Sequence, residues 1–441
     1  MGNDVMYVEG GAPLQGEIVV RGAKNLVSKA MVAALLGSLP SRISNVPVIR
    51  DVEVVSDLLA LHGCEVDWDP GAGVVAINPR ASDVPGVAEL RMHAGASRIP
   101  ILLCGPLLHR VGEAFIPNLG GCDIGGRPID FHLEILERFG AEVIKSSDGI
   151  RLRAPRGLRG IEMDLPFPSV GATEQLLLTA VLAEGVTVLR GAAVEPEILD
   201  LVCVLQKMGA SISLETDRVI RIDGVASLGG FAHAALPDRI EAGSWASAAL
   251  VTGGSIRVRG ARQADMMTFL NCFRQVGGAF TVDEDSIEFF RADGELNSIA
   301  LETGVHPGFM TDWQQPLVVA LTQASGLSVI HETVYEQRFG FTTALSRMGA
   351  QIQLYSSCLG GMTCRFGQKG YLHSAVVSGP TPLRAADIEI PDLRGGFSHV
   401  IAALAAQGRS SVRGIDLIDR GYEHFGDKLE ALGARVTRRG L

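Results

Sequence analysis

The chain repeats itself. A short phrase in which a helix would end on glycine and a strand begin recurs six times: HGCEV at 62–66, FGAEV at 139–143, MGASI at 208–212, VGGAF at 276–280, MGAQI at 348–352 and LGARV at 432–436. Successive copies lie 68 to 84 residues apart. A second phrase, an alanine- or leucine-rich run closed by glycine, precedes each copy; its final glycines are Gly37, Gly105, Gly185, Gly254, Gly326 and Gly408. Self-similarity at such a period marks one supersecondary unit copied along the chain. A unit of about 70 residues buries its own apolar faces poorly, so the copies are expected to pack on one another.

The unit is readable in its first copy. In DVEVVSDLLAL at 51–61, Val52, Val55, Leu58, Leu59 and Leu61 mark one helical face, and Asp51 is the expected N-cap. Gly63 supplies a left-handed residue to end the helix, and alternation from Cys64 begins a strand. The same reading applies at 130–139, 197–208, 265–276 and 423–432. Each repeat then holds two helices and three or four short strands. These units are too long and too mixed for the common solenoids, and six copies suggest two groups of three, divided at Pro237-Asp238-Arg239. Two helix-ending glycines per repeat also explain part of an unusual glycine content, 53 of 441 residues.

Composition excludes several classes of function. A net charge of −10 argues against a polyanionic partner, so neither nucleic acid nor an anionic membrane is expected. The apolar runs stop well short of the ~20 residues a membrane helix needs, and MGNDVMYVEGG at the N-terminus has no signal core. Seven cysteines without a CxxC pair read as reduced thiols of a cytoplasmic protein, with Cys104, Cys203 and Cys272 as small core residues. No Cys or His cluster has ligand spacing, so no metal site is expected.

Chemistry is sought where residues depart from the repeat. The loop Gly120-Gly121-Cys122-Asp123-Ile124-Gly125-Gly126-Arg127-Pro128 sets one thiol among four glycines. Arg127 favours its thiolate and Asp123 opposes it, and a thiol left mostly protonated suits a proton donor. Lys24 follows a strand in Gly22-Ala23-Lys24-Asn25 without the spacing of a Walker loop. Arg98, Arg338, Arg394 and Arg420 also sit at turns or helix starts. With Cys122 and Asp312 they suit a cleft for a multiply anionic substrate, where guanidinium groups grip carboxylate and phosphate in pairs of hydrogen bonds.

These residues resemble those of the UDP-N-acetylglucosamine enolpyruvyl transferases, members of the wider enolpyruvyl transferase family. The resemblance spans essentially the whole chain: GAKN at 22–25, the GGCxIGxRPxDxH loop at 120–132, SVGAT at 169–173, EPEI at 195–198, LPDRIE at 236–241, HPxFxTD at 306–312, ETVxExR at 332–338 and IDRGYE at 418–423. The relative that makes 5-enolpyruvylshikimate 3-phosphate shares the six-unit fold but lacks this cysteine loop. One departure stands ahead of SVGAT, where Pro166-Phe167-Pro168 replaces a stretch in which some members carry a lysine directed at the diphosphate.

The resemblance implies an α/β fold, a two-domain inverted α/β barrel of six βαβαββ repeats, three per domain. Residues 23–237 would form the domain carrying the Cys122 loop, which acts as a lid, and 1–22 with 238–441 the other, the active site lying in the cleft between them. The implied reaction moves enolpyruvyl from phosphoenolpyruvate to the 3′-hydroxyl of UDP-N-acetylglucosamine, the first committed step of peptidoglycan synthesis. Other uridine nucleotides, such as UMP, and a non-catalytic ligand-binding relative remain as alternatives. By resemblance Cys122 is the acid and forms an adduct with phosphoenolpyruvate, and Asp312 takes the hydroxyl proton. Lys24, Arg127 and Arg420 hold phosphate and carboxylate, with Arg338 and Arg394 beside them. Asn25, Arg98, Pro128, Ile129, Asp130, Phe131, His132, Ser169, Val170, Gly171 and Val334 match nucleotide-binding positions. No metal or redox cofactor is called for.

Overall fold

The computed structural model describes residues 4–80, 89–90, 98–117, 129–361 and 364–440. These fall into two compact units, one formed by 4–20 and 237–440, the other by the described residues of 21–117 and 129–236. All six helix-to-strand phrases form. Helices Arg50–Leu61, Asp130–Arg138, Pro196–Lys207, Met267–Val276, Thr342–Arg347 and Phe425–Ala431 are each followed within four residues by a strand, beginning at Cys64, Glu142, Ser211, Gly278, Gln351 and Arg435. The glycines at the joints, Gly63, Gly140, Gly209, Gly277, Gly349 and Gly433, all have φ between 81° and 110°, the left-handed turn that ends a helix without a Cβ penalty.

The second glycine series has mixed causes. Gly185, Gly326 and Gly408 are left-handed, with φ of 97°, 104° and 99°. In the fourth copy Gly253 (φ 66°) makes that turn instead, and Gly254 is needed because a Cβ there would lie 1.9 Å from the Leu14 carbonyl oxygen. Gly105 sits inside helix Cys104–Arg110, where a Cβ would stand 2.4 Å from Thr179 Oγ1. Asp51 is not an N-cap. The helix begins at Arg50 with Ile49 as its N-cap, and the Asp51 carboxylate turns to Lys24 Nζ at 2.5 Å.

The two helix types of each repeat differ in burial. Arg50–Leu61 buries six of its twelve residues and is amphipathic, whereas Leu393–Ala405 buries twelve of thirteen and Arg239–Thr252 twelve of fourteen. A helix apolar on every side must lie within the packing, not on it. Val170–Ala180 and Thr311–Leu321 are of the same kind. Among the described residues each unit therefore has helices at its centre and three sheets around them.

The sheets share one pattern. In five of them a strand runs parallel to its neighbour, followed by two antiparallel pairings. Ala300–Glu302, Gly326–His331, Ser374–Gly379 and Gln351–Tyr355 are one such set, in that spatial order. The sixth, from Glu113–Pro117, Gly149–Arg153 and Glu142–Ser146, has three strands among the described residues. Residues alternate between buried and exposed, as in Val74–Pro79 with Val75 and Ile77 inward. The N-terminal strand Val5–Glu9 lies between Arg409–Arg413 and Arg435–Arg439, and Gln15–Val19 runs parallel to Ser255–Arg259. Both pairings tie the first twenty residues to the unit formed by 237–440.

Two glycines separate the causes experimentally. Gly209 (φ 104°) has open space where a Cβ would go, whereas a Cβ on Gly224 would stand 1.7 Å from the Ala183 carbonyl oxygen. Gly209→Ala is expected to cost about 1 kcal/mol, from its left-handed φ alone. Gly224→Ala is expected to cost about 3 kcal/mol or more, because backbone must move. Urea unfolding midpoints measure both, and equal losses would refute the distinction.

Candidate active site

In the unit that holds 237–440, helices Arg239–Thr252, Thr311–Leu321 and Leu393–Ala405 pack against one another, and their N-terminal ends meet. Asp238 caps the first, accepting from the amides of Ile240 (2.8 Å) and Glu241 (3.1 Å). Asp392 caps the third, accepting from Arg394 and Gly395 at 3.0 Å each. The second begins with no side-chain cap at Met310, and Asp312 stands in its first turn. A buried helix start leaves N–H groups away from water and carries the positive end of the helix dipole; carboxylates answer both.

Guanidinium groups cross-link these starts. Arg338 Nη2 donates to Asp312 Oδ1, Arg394 Nε lies 3.9 Å from Asp312 Oδ2, and Arg394 Nη2 lies 3.9 Å from Asp238 Oδ2. The side chains of Arg338 and Arg394 are 1% and 7% exposed, but that of Asp312 is 18% exposed, so the carboxylate is the part of the cluster that reaches outward. Burial works against both cations. For Arg394 the surroundings of Tyr422, Asp238 and Asp312 outweigh it, and for Arg338 those of Asp312, Asp392 and Glu332, so both pKa values rise. Arg338 Nε and Arg394 Nη1 are buried with no acceptor among the described residues. Arg394 also lies over the Tyr422 ring, 5.2 Å from its centroid.

Glu332 positions Arg338. Its Oε1 accepts from the amides of Val334 (2.7 Å) and Tyr335 (2.9 Å), and its Oε2 from Thr311 Oγ1 and Gln314 Nε2, both 2.8 Å. One carboxylate thus fastens the turn that leads to Arg338 onto the start of the Asp312 helix. Burial raises its pKa although Tyr335, Arg338 and Val334 oppose the rise.

In the other unit the expected residues again gather at helix starts. Lys24 and Asn25 open Lys24–Ala33, and Ser169 caps Val170–Ala180 through its Oγ on the Ala172 amide at 3.4 Å. Lys24 is held by Asp51. His132 Nδ1 lies 3.3 Å from Gln175 Oε1, and a Cβ on Gly171 would come within 3.0 Å of His132 Nε2, so the bare glycine admits the ring. Burial lowers the His132 pKa to about 4, Arg98 adding to the fall and Gln175 opposing it. Arg98 directly precedes the short 3-10 turn Ile99–Ile101. Ile129 is half-buried, Asp130 is the exposed first residue of its helix, and Phe131 meets Phe167 edge-on at 5.5 Å. The residue that departs from the family's lysine therefore extends an apolar contact.

Cys122, Arg127 and Pro128 lie outside the described residues. Arg420 is half-buried in the turn two residues before Tyr422. Asp312, Val334, Arg338, Arg394 and Arg420 belong to one unit, and Lys24, Asn25, Arg98, Ile129, Asp130, Phe131, His132, Ser169, Val170 and Gly171 to the other. Asp238, Asp392, Glu332, Asp51 and Tyr422 were not among the expected site residues. Their one shared signal is an acid or phenol at a helix start or inside a motif. Cys104 is buried as expected, but Cys203 is exposed and Cys272 half-buried, since each stands on an amphipathic helix. The spacing argument against a metal fails, because the fold gathers His331, Cys358, Cys364 and His373 with ligand atoms within 4.8 Å of one another.

Folds of this kind are found among the enolpyruvyl transferases. The chain's backbone superposes on the enolpyruvyl transferase NikO from Streptomyces tendae with a TM-score of 0.87 at 22% identity, each chain covered completely. It superposes on EPSP synthase from Acinetobacter baumannii with 0.76 at 16%, covering 99% of this chain and 100% of that one. The family model of EPSP synthase (3-phosphoshikimate 1-carboxyvinyltransferase) matches residues 8–429. A UDP-N-acetylglucosamine 1-carboxyvinyltransferase of Protochlamydia amoebophila is 48% identical over 440 residues, 98% of this chain and 94% of that protein. One from Acidiphilium cryptum is 42% identical, with 99% of each covered. The chain belongs to the enolpyruvyl transferase family, among the UDP-N-acetylglucosamine 1-carboxyvinyltransferases.

Removing the Asp312 carboxylate leaves two buried guanidinium groups without it, so Asp312→Ala is expected to destabilise by about 3–5 kcal/mol in urea unfolding. Asp312→Asn, which keeps an acceptor oxygen, should lose clearly less.

Burial lowers His62 to about 4, as it does His132, and raises Glu174 to about 7, with Lys29 opposing and Glu197 and Glu195 adding. Between about pH 6.5 and 4 the unfolded chain binds protons that the folded histidines refuse, so stability falls on acidification. Folded Glu174 takes a proton that the unfolded chain releases between about pH 7 and 4.5, which offsets part of that loss. Glu174→Gln should therefore steepen the fall in melting temperature from pH 6.5 to 4.5; an unchanged slope would refute the offset.

Proposed function

We propose that the chain transfers the enolpyruvyl group of phosphoenolpyruvate to the 3′-hydroxyl of UDP-N-acetylglucosamine and releases phosphate, the first committed step of peptidoglycan synthesis. The observation that carries this reading is the Asp312 carboxylate, turned outward and held by two buried guanidinium groups at a helix start. Such a group is an oriented proton acceptor, and addition of a sugar hydroxyl needs one.

The reaction has two halves. A proton goes from the Cys122 thiol to the methylene carbon of phosphoenolpyruvate, leaving the neighbouring carbon cation-like. The sugar hydroxyl adds there while Asp312 takes its proton. The Cys122 thiolate takes back a methyl proton as phosphate is expelled, which restores both the alkene and the thiol. Lys24, Arg127 and Arg420 hold the phosphate and carboxylate of the donor. Arg338 and Arg394 fix Asp312, and their remaining buried N–H groups supply the positive field that a trianionic donor requires. Asn25, Arg98, Pro128, Ile129, Asp130, Phe131, His132, Ser169, Val170, Gly171 and Val334 bind the nucleotide.

The domain reading goes with this proposal: residues 23–237 as one domain and 1–22 with 238–441 as the other. A soluble acceptor fits a chain in which no helix among the described residues is long and apolar enough to cross a membrane. UMP as acceptor is the weaker reading, since relatives at 48% and 42% identity are named for UDP-N-acetylglucosamine.

Phosphate release from phosphoenolpyruvate should require UDP-N-acetylglucosamine. Turnover with UMP only, or with neither acceptor, would overturn the proposal. Asp312→Asn should lower kcat about 10²–10⁴-fold with the fold intact by circular dichroism. An epoxide phosphonate should alkylate Cys122, seen as one adduct by peptide mass spectrometry and absent in Cys122→Asp.

A further inference from the structure

Strand Gly326–His331 ends on His331, and Ser374–Gly379 begins directly after His373. The two strands pair antiparallel with His331 opposite Ser374, which sets the imidazoles side by side, 5.4 Å between centroids. The loop between Tyr355 and Ser374 carries Cys358 and Cys364 over them. Cys358 Sγ lies 3.4 Å from His373 Nε2, and all four ligand atoms lie within 4.8 Å of one another.

The imidazoles are already oriented. His331 Nδ1 lies 3.3 Å from Glu302 Oε2, and His373 Nδ1 donates to the Tyr371 carbonyl at 2.8 Å. With a proton on each Nδ1, each Nε2 presents a lone pair inward. His331 is fully buried, and its Nε2 has no hydrogen-bond partner among the described residues. A buried ring nitrogen left bare, with its other nitrogen on a carboxylate, is the outer-shell arrangement of a metal-bound histidine. Cys364 Sγ accepts the Phe366 amide at 3.2 Å, which supports charge on that sulfur. The loop also approaches closely: a Cβ on Gly360 would stand 2.3 Å from His331 Nδ1, and one on Gly367 3.0 Å from Cys358 Sγ.

We propose that His331, Cys358, Cys364 and His373 bind one zinc ion in a closed tetrahedral Cys2His2 site. Zn–S bonds of about 2.3 Å and Zn–N bonds of about 2.0–2.1 Å require ligand atoms about 3.3–3.8 Å apart. Cys358 and His373 already stand at 3.4 Å, and the four atoms, all within 4.8 Å, need draw in by about 1 Å or less around the ion. Two thiolates with two imidazoles suit zinc, and four protein ligands leave no open position for chemistry, so the ion is structural. The loop has reason to need it. Phe366 is its one fully buried apolar side chain among the described residues, while Leu359 and Leu372 are 41% and 49% exposed. The ion would anchor the loop to the sheet edge, and the loop's Arg365 donates to the Val334 carbonyl. None of its four ligands is among the residues assigned to substrate, and the proposal is independent of the acceptor's identity.

The test uses the full chain, expressed with zinc and purified without chelator or histidine tag. Elemental analysis should find about one zinc per chain. The double variant Cys358→Ser, Cys364→Ser should lose it, and Cys203→Ser should keep it. Cobalt-loaded unaltered chain should show the visible bands of tetrahedral Co2+ with thiolate-to-metal charge transfer, a readout that needs no variant. Chelation should lower the melting temperature, and zinc should restore it, because the ion binds only the folded state. Unaltered chain without zinc and without the cobalt spectrum would overturn the proposal. So would zinc kept by the double variant, or an intact mass showing Cys358 and Cys364 joined as a disulfide.

Discussion

A helix buried on every side from its first turn has little water to meet its opening amides, and this constraint organises the unit that holds 237–440. The first turn of such a helix holds amides with no partner inside it, and its dipole places positive charge there. Apolar packing answers the sides of Arg239–Thr252, Thr311–Leu321 and Leu393–Ala405 but not their starts. Asp238, Asp312 and Asp392 stand at those starts, and where the three helices meet their carboxylates converge. Convergent buried carboxylates demand cations, and Arg338 and Arg394 supply them. A polar cluster in the middle of an apolar unit is thus a consequence of putting helices inside.

The same constraint makes the cluster useful. An isolated buried ion pair adds little to stability, because desolvation offsets the attraction. A network of two guanidinium groups and three carboxylates instead fixes geometry. It holds one carboxylate, Asp312, at a defined angle with its outer face free to meet a substrate. Glu332 extends this order to the chain carrying Val334 and Arg338 by taking four hydrogen bonds. In the other unit Lys24 on Asp51 and Ser169 on its helix start repeat the theme with different chemistry. The repeated architecture provides equivalent helix starts, and substitution within the repeat gives each a different charge.

Much of this was legible in the sequence. The six joints were, because a left-handed glycine between a helix and a strand is a local demand that its neighbours in the chain can state. The second glycine series was only half legible. Gly185, Gly326 and Gly408 are left-handed as expected, though each stands at or just before the start of the following strand, a few residues past its helix. Gly105 and Gly254 are bare because Thr179 and Leu14 approach them from far along the chain. Asp51 read as an N-cap for the same reason: its partner, Lys24, is 27 residues away. Cys203 and Cys272 were misread because amphipathic helices have an outer face, and a small apolar residue fits either side. His331 and His373 are too far apart in sequence for a local ligand spacing to join them; strand pairing sets them side by side, and the loop between Tyr355 and Ser374 adds Cys358 and Cys364.

The sequence by itself determined the repeat, its helices, strands and joints, and the residue types available for chemistry, because these depend on contacts within a few residues. Membership of the enolpyruvyl transferases was also written there, in motifs whose order survives along the whole chain. Only the tertiary structure decided which helices are wrapped on all sides, and so which helix starts meet. It decided that Asp312 answers to Arg338 and Arg394, that Glu332 ties two elements together, and that two histidines and two cysteines face one another. Such contacts join residues tens of positions apart, and their energies depend on burial and distance, which no local pattern encodes.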